Sequence, residues 1–164
     1  MHPLRIWMLS CRLHRRGFRR TARLLKAFNF MVFKAILPPE VQPGPNCQLV
    51  HHALGVGVHV QMKIGRDVTI YHLASFAAEA WLGADRFQVI GDRVIVGVGS
   101  ILVGPITVGD DAVIGAGAVV VKDVPPGAVV AGSPARIISY DGVEINARRL
   151  GRPLPADRSE SAAV

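Results

Sequence analysis

The side chains best suited to acid–base chemistry in this 164-residue chain are its six histidines. His51 and His52 are adjacent in the segment LVHHALG (49–55), and His72 follows Tyr71. Histidine is the side chain whose ordinary pKa lies closest to neutral pH, so each of them could accept a proton from a hydroxyl group. The alternative is that His51 and His52 are solvated residues at a turn. Which interpretation is correct depends on the secondary structure that carries them.

A repeat of six residues supplies that element. Every sixth residue from Ile90 to Val120 is aliphatic, and four of the six residues that directly follow them are glycine. Hexapeptide repeats are typical of a parallel β-helix, in which three hexads form one triangular coil and the aliphatic side chains point inward. The sequence therefore predicts an all-β solenoid of about five coils over residues 37–130, rather than a β-sandwich of irregular strands.

The repeat continues upstream with two interruptions. Residues 58–76 keep the spacing of six, whereas the run over residues 37–49 is offset from them by three residues. His51 and His52 then fall at a corner of a coil, from which either side chain can project outward. The second interruption, residues 77–89, is interpreted as an excursion loop, and a loop beside a rigid solenoid is a natural place for a functional site.

The first 36 residues differ sharply from the rest in charge. They carry nine arginine or lysine residues and no acid, so the remaining 128 residues hold a net charge of −2 within the total of +7. Their apolar residues recur at mostly helical spacing, which predicts one or two basic amphipathic helices. They contain neither an apolar run long enough for a transmembrane helix nor the pattern of a signal peptide.

The preferred role of this leader is a helical cap over the first coil, and attachment to an anionic membrane surface is the alternative. Nucleic-acid binding is not expected, because no aromatic stacking platform accompanies the charge. Cys11 and Cys47 have no metal or disulfide spacing and are interpreted as free thiols of a reducing compartment, which indicates a cytoplasmic protein, at the inner membrane surface if the leader binds lipid. No ligand cluster for a catalytic metal occurs. Residues 139–164 are expected to form a flexible tail.

The late coils carry a more specific signal. VIGAGAVVVKDVPPGAVVAGSPARII (113–138) closely resembles the end of the hexapeptide-repeat acyltransferases, and LPPEVQPG (37–44) and GVGVHVQMKIGRDVTIY (55–71) resemble the serine acetyltransferase group among them. The resemblance covers residues 37–138 and is to short members that lack the large helical domain. It implies a left-handed parallel β-helix, a homotrimer, and O-acetyl transfer from acetyl-CoA bound between two β-helices, with no further cofactor.

The resemblance also implies which histidine is the general base. The family places it in an L-x-H-x-x-L-G segment, which selects His51 when the register is counted from Leu37. Alignment on the H-A-T-G version of full-length members selects His52 instead. His51 is preferred because the upstream register is unbroken. His72 is expected to line the acceptor pocket, and His59 is expected to be structural or peripheral to the site.

Contacts to CoA are implied in the same way. The family holds the pantetheine arm mostly through the backbone of the late coils, which here means Gly115, Ala116 and Gly117. Lys122, Arg136 and, less directly, Lys63 are candidates for the CoA phosphates, because lysine and arginine match phosphate geometry. Plain surface charge is the alternative role for these cations.

Two departures from the family pattern put serine in doubt as the acceptor. Phe87 stands where the family motif DRHP has its histidine, and Ile36 stands where an acidic residue often pairs with the base. Glu79 or Asp85 of the excursion loop could supply that carboxylate. Three functions therefore stay open: O-acetylation of L-serine, O-acetylation of a sugar in polysaccharide or envelope synthesis, and a catalytically weak trimeric scaffold.

Overall fold

The structure is a computed structural model of the chain, and it describes residues 2–60, 62–77 and 88–153. Helices α1 (Pro3–Arg15) and α2 (Arg19–Phe33) precede a stack of short strands, and α3 (Gly142–Leu150) follows it. The strands are β1 (Gln48–Leu49), β2 (Met62–Ile64), β3 (Thr69–Ile70), β4 (Ser75–Ala77), β5 (Gln88–Ile90), β6 (Ile95–Val96), β7 (Ile101–Val103), β8 (Thr107–Val108), β9 (Val113–Ile114), β10 (Val119–Val120), β11 (Val129–Ala131) and β12 (Arg136–Ser139). A 3₁₀ turn (Val50–Ala53) follows β1. No helix in the described ranges has both the length and the apolar character needed to cross a bilayer.

The strands form three sheets, here called A, B and C. Sheet A contains β4, β7 and β10, sheet B contains β2, β5 and β8, and sheet C contains β1, β3, β6, β9 and β11, all pairing in parallel. Isolated parallel bridges add Ile36 and Gly57 to sheet A, and Pro43 and Val124 to sheet B. Each sheet therefore has five levels in the described residues, which confirms the all-β solenoid and the five coils predicted from the hexads.

The hexad residues form the core because each strand directs its aliphatic side chain inward. The column under sheet C is at most 3% exposed at every level, and it consists of Leu49, Ile70, Val96, Ile114 and Val130. The columns under sheets A and B are buried in the same way. Full burial of one such side chain stabilises the fold by about 1.5–3 kcal/mol, so the stacked columns stabilise every coil through its neighbours.

Helix α1 covers the first coil. Trp7 is fully buried, and its indole Nε1–H donates to the carbonyl oxygen of Pro38 at 2.8 Å. The Cys11 thiol donates to the carbonyl oxygen of Val41 at 3.3 Å. Burial raises the pKa of the Cys11 and Cys47 thiols to about 11, and both cysteines are free.

Residues 139–164 were expected to form a flexible tail, but residues 139–150 contain the end of strand β12 and helix α3. Strand β12 turns back antiparallel on β11, and α3 packs over the turns between sheets B and C. Asn146 donates to the carbonyl oxygen of Asp111 at 3.0 Å, and the Arg149 guanidinium donates to the carbonyl oxygen of Asp67 at 3.0 Å and to the Thr69 hydroxyl. These bonds satisfy carbonyl groups far away in sequence, which a local pattern does not reveal. Residues 154–164 lie outside the described part of the chain.

Candidate functional site

The corners between sheets C and A form one continuous edge, here called the C–A edge. Backbone hydrogen bonds join the turn of each coil to the next: Leu73 N–H to the Leu54 carbonyl at 2.7 Å, Gly99 N–H to the His72 carbonyl at 3.1 Å, and Gly117 N–H to the Val98 carbonyl at 2.8 Å. The turns at 50–55, 71–73, 97–99 and 115–117 therefore lie in a row. This row brings together the predicted site residues His51, His52, His72, Gly115, Ala116 and Gly117.

The first turn of the C–A edge contains three extra residues. Leu49 and Val58 are core residues of successive levels, but they are nine positions apart instead of six. His51, His52 and Ala53 in this turn have φ of 51°, 57° and 56°. This left-handed region costs a residue with a side chain about 1 kcal/mol or more. Single residues at other turns of the stack, such as Leu73 and Arg93, also adopt it, whereas here three consecutive residues do. The three extra residues of this turn therefore account for the offset of three residues between the run over residues 37–49 and the later repeat.

His51 is exposed and contacts His72 of the next coil. The centroids of the two imidazole rings are 4.8 Å apart and their planes are 85° apart, which is an edge-to-face contact. The Nδ1 atom of His72 is buried, and no group in the described residues forms a hydrogen bond with it. Buried polar atoms are normally paired, so this nitrogen lacks a partner that a bound molecule or a neighbouring chain could supply.

His52 turns toward the N-terminal helices instead. Its ring is parallel to that of Phe33 within 3° at a centroid distance of 6.2 Å, and it lies 5.7 Å from the ring of His2. Nδ1 of His2 accepts the N–H of Leu4 at 3.3 Å and so caps helix α1. Burial, together with the nearby charges of His52 and Arg5, lowers the pKa of His2. His2 and Phe33 were not anticipated from the sequence, because no repeat or motif links them to the corner.

The turn at 115–117 offers backbone with very little side chain. Gly117 has a φ of 66°, and Ala116 is exposed. A Cβ atom on Gly115 would lie 3.1 Å from both the Cβ of Ala131 and the carbonyl oxygen of Val130. A Cβ atom on Gly117 would meet nothing within 4 Å, so an extended ligand chain could lie close to the backbone at that residue.

Lys122 and Arg136 lie away from the C–A edge, across strand β10. Two adjacent cavities of about 350 and 360 Å³ share the turn at 121–123, and the second of them is also lined by Arg136. Asp123 lines both cavities, and its carboxylate accepts the N–H of Thr107 at 2.7 Å. Lys63 lies on β2 and lines neither cavity. The structure thus groups Lys122 with Arg136 but separates Lys63 from them.

Several expected features of the excursion loop cannot be placed. Strand β4 includes residue 77 and β5 includes residues 88 and 89, so the loop is shorter at both ends than the expected 77–89. Glu79, Asp85 and Phe87 lie outside the described residues.

Ile36 is 45% exposed and pairs with Gly57. Within the described ranges, no group of three or more histidine, cysteine or acidic residues could hold a metal ion.

Two curated relatives of the chain are serine acetyltransferases. The serine acetyltransferase of Mycobacterium tuberculosis strain H37Rv is 39% identical over 137 residues, which are 84% of this chain and 57% of that protein. The serine acetyltransferase of Helicobacter pylori strain 26695 is 36% identical over 144 residues, which are 86% of this chain and 82% of that protein. This chain thus spans little more than half the length of the mycobacterial relative. No family model matches the chain.

Solved structures agree with these relatives. The crystal structure of serine acetyltransferase from Brucella abortus in complex with coenzyme A matches with a TM-score of 0.77 and 31% identity, over 82% of this chain and 54% of that one. The serine acetyltransferase of Neisseria gonorrhoeae in complex with serine matches with a TM-score of 0.77 and 31% identity, over 84% of this chain and 55% of that one.

Proposed function

The chain belongs to the serine acetyltransferase family, and on this premise we propose that it transfers the acetyl group of acetyl-CoA to the hydroxyl of L-serine. The observation that carries the proposal is the C–A edge, on which the contacting pair His51 and His72 lies in line with the small-residue turn at 115–117. The coenzyme A and serine complexes of the similar structures supply the two ligand classes.

His51 is the proposed general base. Its contact with His72 supports this assignment, whereas His52 packs against Phe33 and His2 of the helical leader. His51 removes the proton of the acceptor hydroxyl while the oxygen attacks the thioester carbonyl carbon. The carbon–sulfur bond then breaks, and the proton passes from the imidazolium to the sulfur of CoA. A positioned base contributes about 10²–10⁴-fold to the rate.

The late coils bind the cosubstrate in this proposal. The turn of Gly115, Ala116 and Gly117, which is exposed at Ala116 and Gly117, offers its backbone to the pantetheine arm, and the cavity lined by Lys122 and Arg136 provides two cations for the phosphates. Binding both reactants along one rigid edge lowers the barrier further, because their relative translation and rotation are restricted before the reaction begins.

The active form is proposed to be a homotrimer that associates through the outward face of sheet A. The side chains that alternate with the core residues on this face are all uncharged, namely Ser75, Ala77, Ile101, Val103, Val119 and Val121. Ile101 and Val121 are 40% and 47% exposed. A contiguous apolar surface of this kind is characteristic of a protein–protein contact.

A CoA-release assay with purified full-length chain tests the proposal. L-Serine and a panel of sugars are offered with acetyl-CoA, free thiol is measured, and the product is identified by mass spectrometry. We expect thiol release that depends on L-serine and yields O-acetylserine. Release with sugars alone would replace the acceptor and keep acetyl transfer. No release with any acceptor, from a chain that binds acetyl-CoA, would favour a scaffold.

A further inference from the structure

Helix α2 buries its small and polar residues and exposes its large apolar ones. Ala22 and Asn29 are fully buried, and Asn29 donates to the carbonyl oxygen of Pro3. Leu24, Phe28 and Met31 are 70%, 42% and 71% exposed. Their spacing of four and three residues places them in one stripe on the side that faces away from α1. In water the hydrophobic effect favours burial of the large apolar side chains and exposure of the polar ones. The exposed stripe therefore indicates a surface that binds an apolar partner.

Basic side chains adjoin the apolar stripe on one side of the helix. Arg19, Arg20, Arg23, Lys26 and Lys34 lie on or directly after α2, all of them exposed or half-buried. Residues 1–36 contain no acid that could neutralise them. The exposed surface of α2 is therefore apolar along one side and cationic along the adjoining side, which is a pattern found in helices that lie in the interface of a membrane.

We propose that α2 docks on the surface of an anionic lipid bilayer. The helix lies parallel to the membrane, with Leu24, Phe28 and Met31 at the boundary between headgroups and acyl chains. The arginine and lysine side chains then reach the lipid phosphates. This proposal is independent of the catalytic proposal, because neither Lys122 nor the histidine corner takes part in it.

Charge complementarity favours lipid over the other occupants. A second copy related by a twofold axis would bring the same cationic surface against α2, and the like charges would repel each other across the contact. A nucleic acid would pair with the cations, but its phosphate backbone would leave the apolar stripe without a partner. An anionic bilayer pairs with both the apolar stripe and the cationic side chains that adjoin it.

Co-sedimentation of the full chain with vesicles tests this inference. Vesicles of phosphatidylglycerol and phosphatidylcholine are compared with vesicles of phosphatidylcholine alone, each at low and high NaCl. We expect at least about fivefold more bound protein on the anionic vesicles, and a decrease as salt screens the cations.

A matched pair of neutral variants separates the stripe from the charge. Leu24→Ser/Met31→Ser removes two exposed apolar side chains of α2 and should lower binding to anionic vesicles at least about fivefold. Ile138→Ser/Tyr140→Ser removes two apolar side chains that are 66% and 55% exposed at the other end of the molecule, and should leave binding unchanged. Circular dichroism verifies that both variants fold.

Three outcomes would overturn the proposal. One is the absence of binding to anionic vesicles. Another is equal binding by the two double variants. The third is self-association of the wild type that Leu24→Ser/Met31→Ser abolishes without any vesicle binding, which would make the stripe an interface between copies. A parallel assay measures binding to duplex DNA. If Leu24→Ser/Met31→Ser binds both DNA and anionic vesicles as well as the wild type does, the interaction is with polyanions in general and the proposal is wrong.

Discussion

The imidazole rings of His51 and His72 meet edge to face at 4.8 Å although the two residues are 21 positions apart in the chain. The contact follows from the solenoid, because the turn of one coil lies directly beside the turn of the next. A ring that packs against a neighbour has fewer rotamers open to it than a ring in free solvent. The turn and the neighbouring coil together orient His51, and if His51 is the base as proposed, this orientation lowers the reorganisation needed during the reaction.

Replacing each histidine of the corner assigns the base. His51→Ala should lower kcat in the CoA-release assay by at least about 10²-fold and leave KM for acetyl-CoA nearly unchanged, because only proton transfer is lost. His52→Ala is the matched control and should cost much less, since its ring packs on Phe33. The reverse result would make His52 the base and the register counted from Leu37 wrong.

Cosubstrate affinity should depend on the cavity cations. Lys122→Ala and Arg136→Ala should each raise KM for acetyl-CoA by about fivefold to tenfold with little change in kcat, because a contact to a distant phosphate is made equally in the ground and transition states. Arg148→Ala, at a side chain 71% exposed on α3, serves as the control. An unchanged KM in the Lys122→Ala/Arg136→Ala double variant would show that the CoA phosphates do not bind in this cavity.

The outward face of sheet A should determine the oligomeric state. Ile101→Asp places a charge on that face and should convert the trimer to monomer in sedimentation velocity, because burying an unpaired carboxylate is costly. Ile145→Asp is a close match, since Ile145 is 39% exposed against 40% for Ile101, but it lies on α3. Trimers that persist in the Ile101→Asp variant would place the contact elsewhere.

Two glycines of one turn should differ in their tolerance of a methyl group. A Cβ on Gly97 would lie 2.6 Å from the carbonyl oxygen of Ile114 and 2.7 Å from the backbone nitrogen of Ala116, whereas one on Gly99 meets nothing within 4 Å. Gly97→Ala should therefore cost about 3 kcal/mol or more, because backbone of the next coil must move. Gly99→Ala should cost about 1 kcal/mol, from its positive φ alone. Urea denaturation measures both, and equal losses would contradict the close approach of the coils.

Acid should loosen the docking of α1. The pKa of His2 is lowered by burial and by the charges of His52 and Arg5, so the fold favours the neutral ring. The stability gained from the neutral ring is fully present above the ordinary histidine pKa and is lost as the pH falls from there through the lowered pKa of the folded state. A protonated Nδ1 can no longer accept from Leu4. The effect is modest because the side chain is partly solvated.

His2→Ser provides the comparison for this pH effect. Serine keeps a capping oxygen but does not titrate, so its decrease in Tm between pH 7 and pH 5 should be smaller than that of the wild type. Thermal scans that follow tryptophan fluorescence in a Trp81→Phe background report the docking of α1, because Trp7 of α1 is buried and donates to the carbonyl oxygen of Pro38. If Tm decreases by the same amount in both proteins, the titration of His2 does not contribute to the pH dependence of stability.

Local periodicity was sufficient to predict the solenoid, because the spacing of six fixes which side chains enter the core. It also placed His51 and His52 at a corner, since an offset of three residues requires a longer turn. The direction of each imidazole could not be predicted, because it depends on Phe33, His2 and His72, which other elements bring to the corner. Helix α3 was missed for the same reason, since its anchoring bonds reach carbonyls of distant coils.

Helix α2 shows a different limit of sequence patterns. Its apolar spacing correctly predicts a helix, but the pattern does not state which side packs on the protein. The hydrogen bond from Asn29 to the Pro3 carbonyl and the small Ala22 allow close approach to α1, so the polar and small side became the inner one. Tertiary contacts, and not propensity, decided the orientation.

The closure of the coil stack at its two ends limits how copies of the molecule can add to one another. A stack of parallel coils exposes strand edges at its ends, and such edges invite head-to-tail growth into filaments. Here α1 covers the first coil, and antiparallel β12 pairs with the last strand of sheet C in place of a strand from another copy. In the proposed homotrimer, contact between copies is therefore expected on the sides of the coil stack, where rotation about an axis closes a ring of fixed size instead of an open fibre.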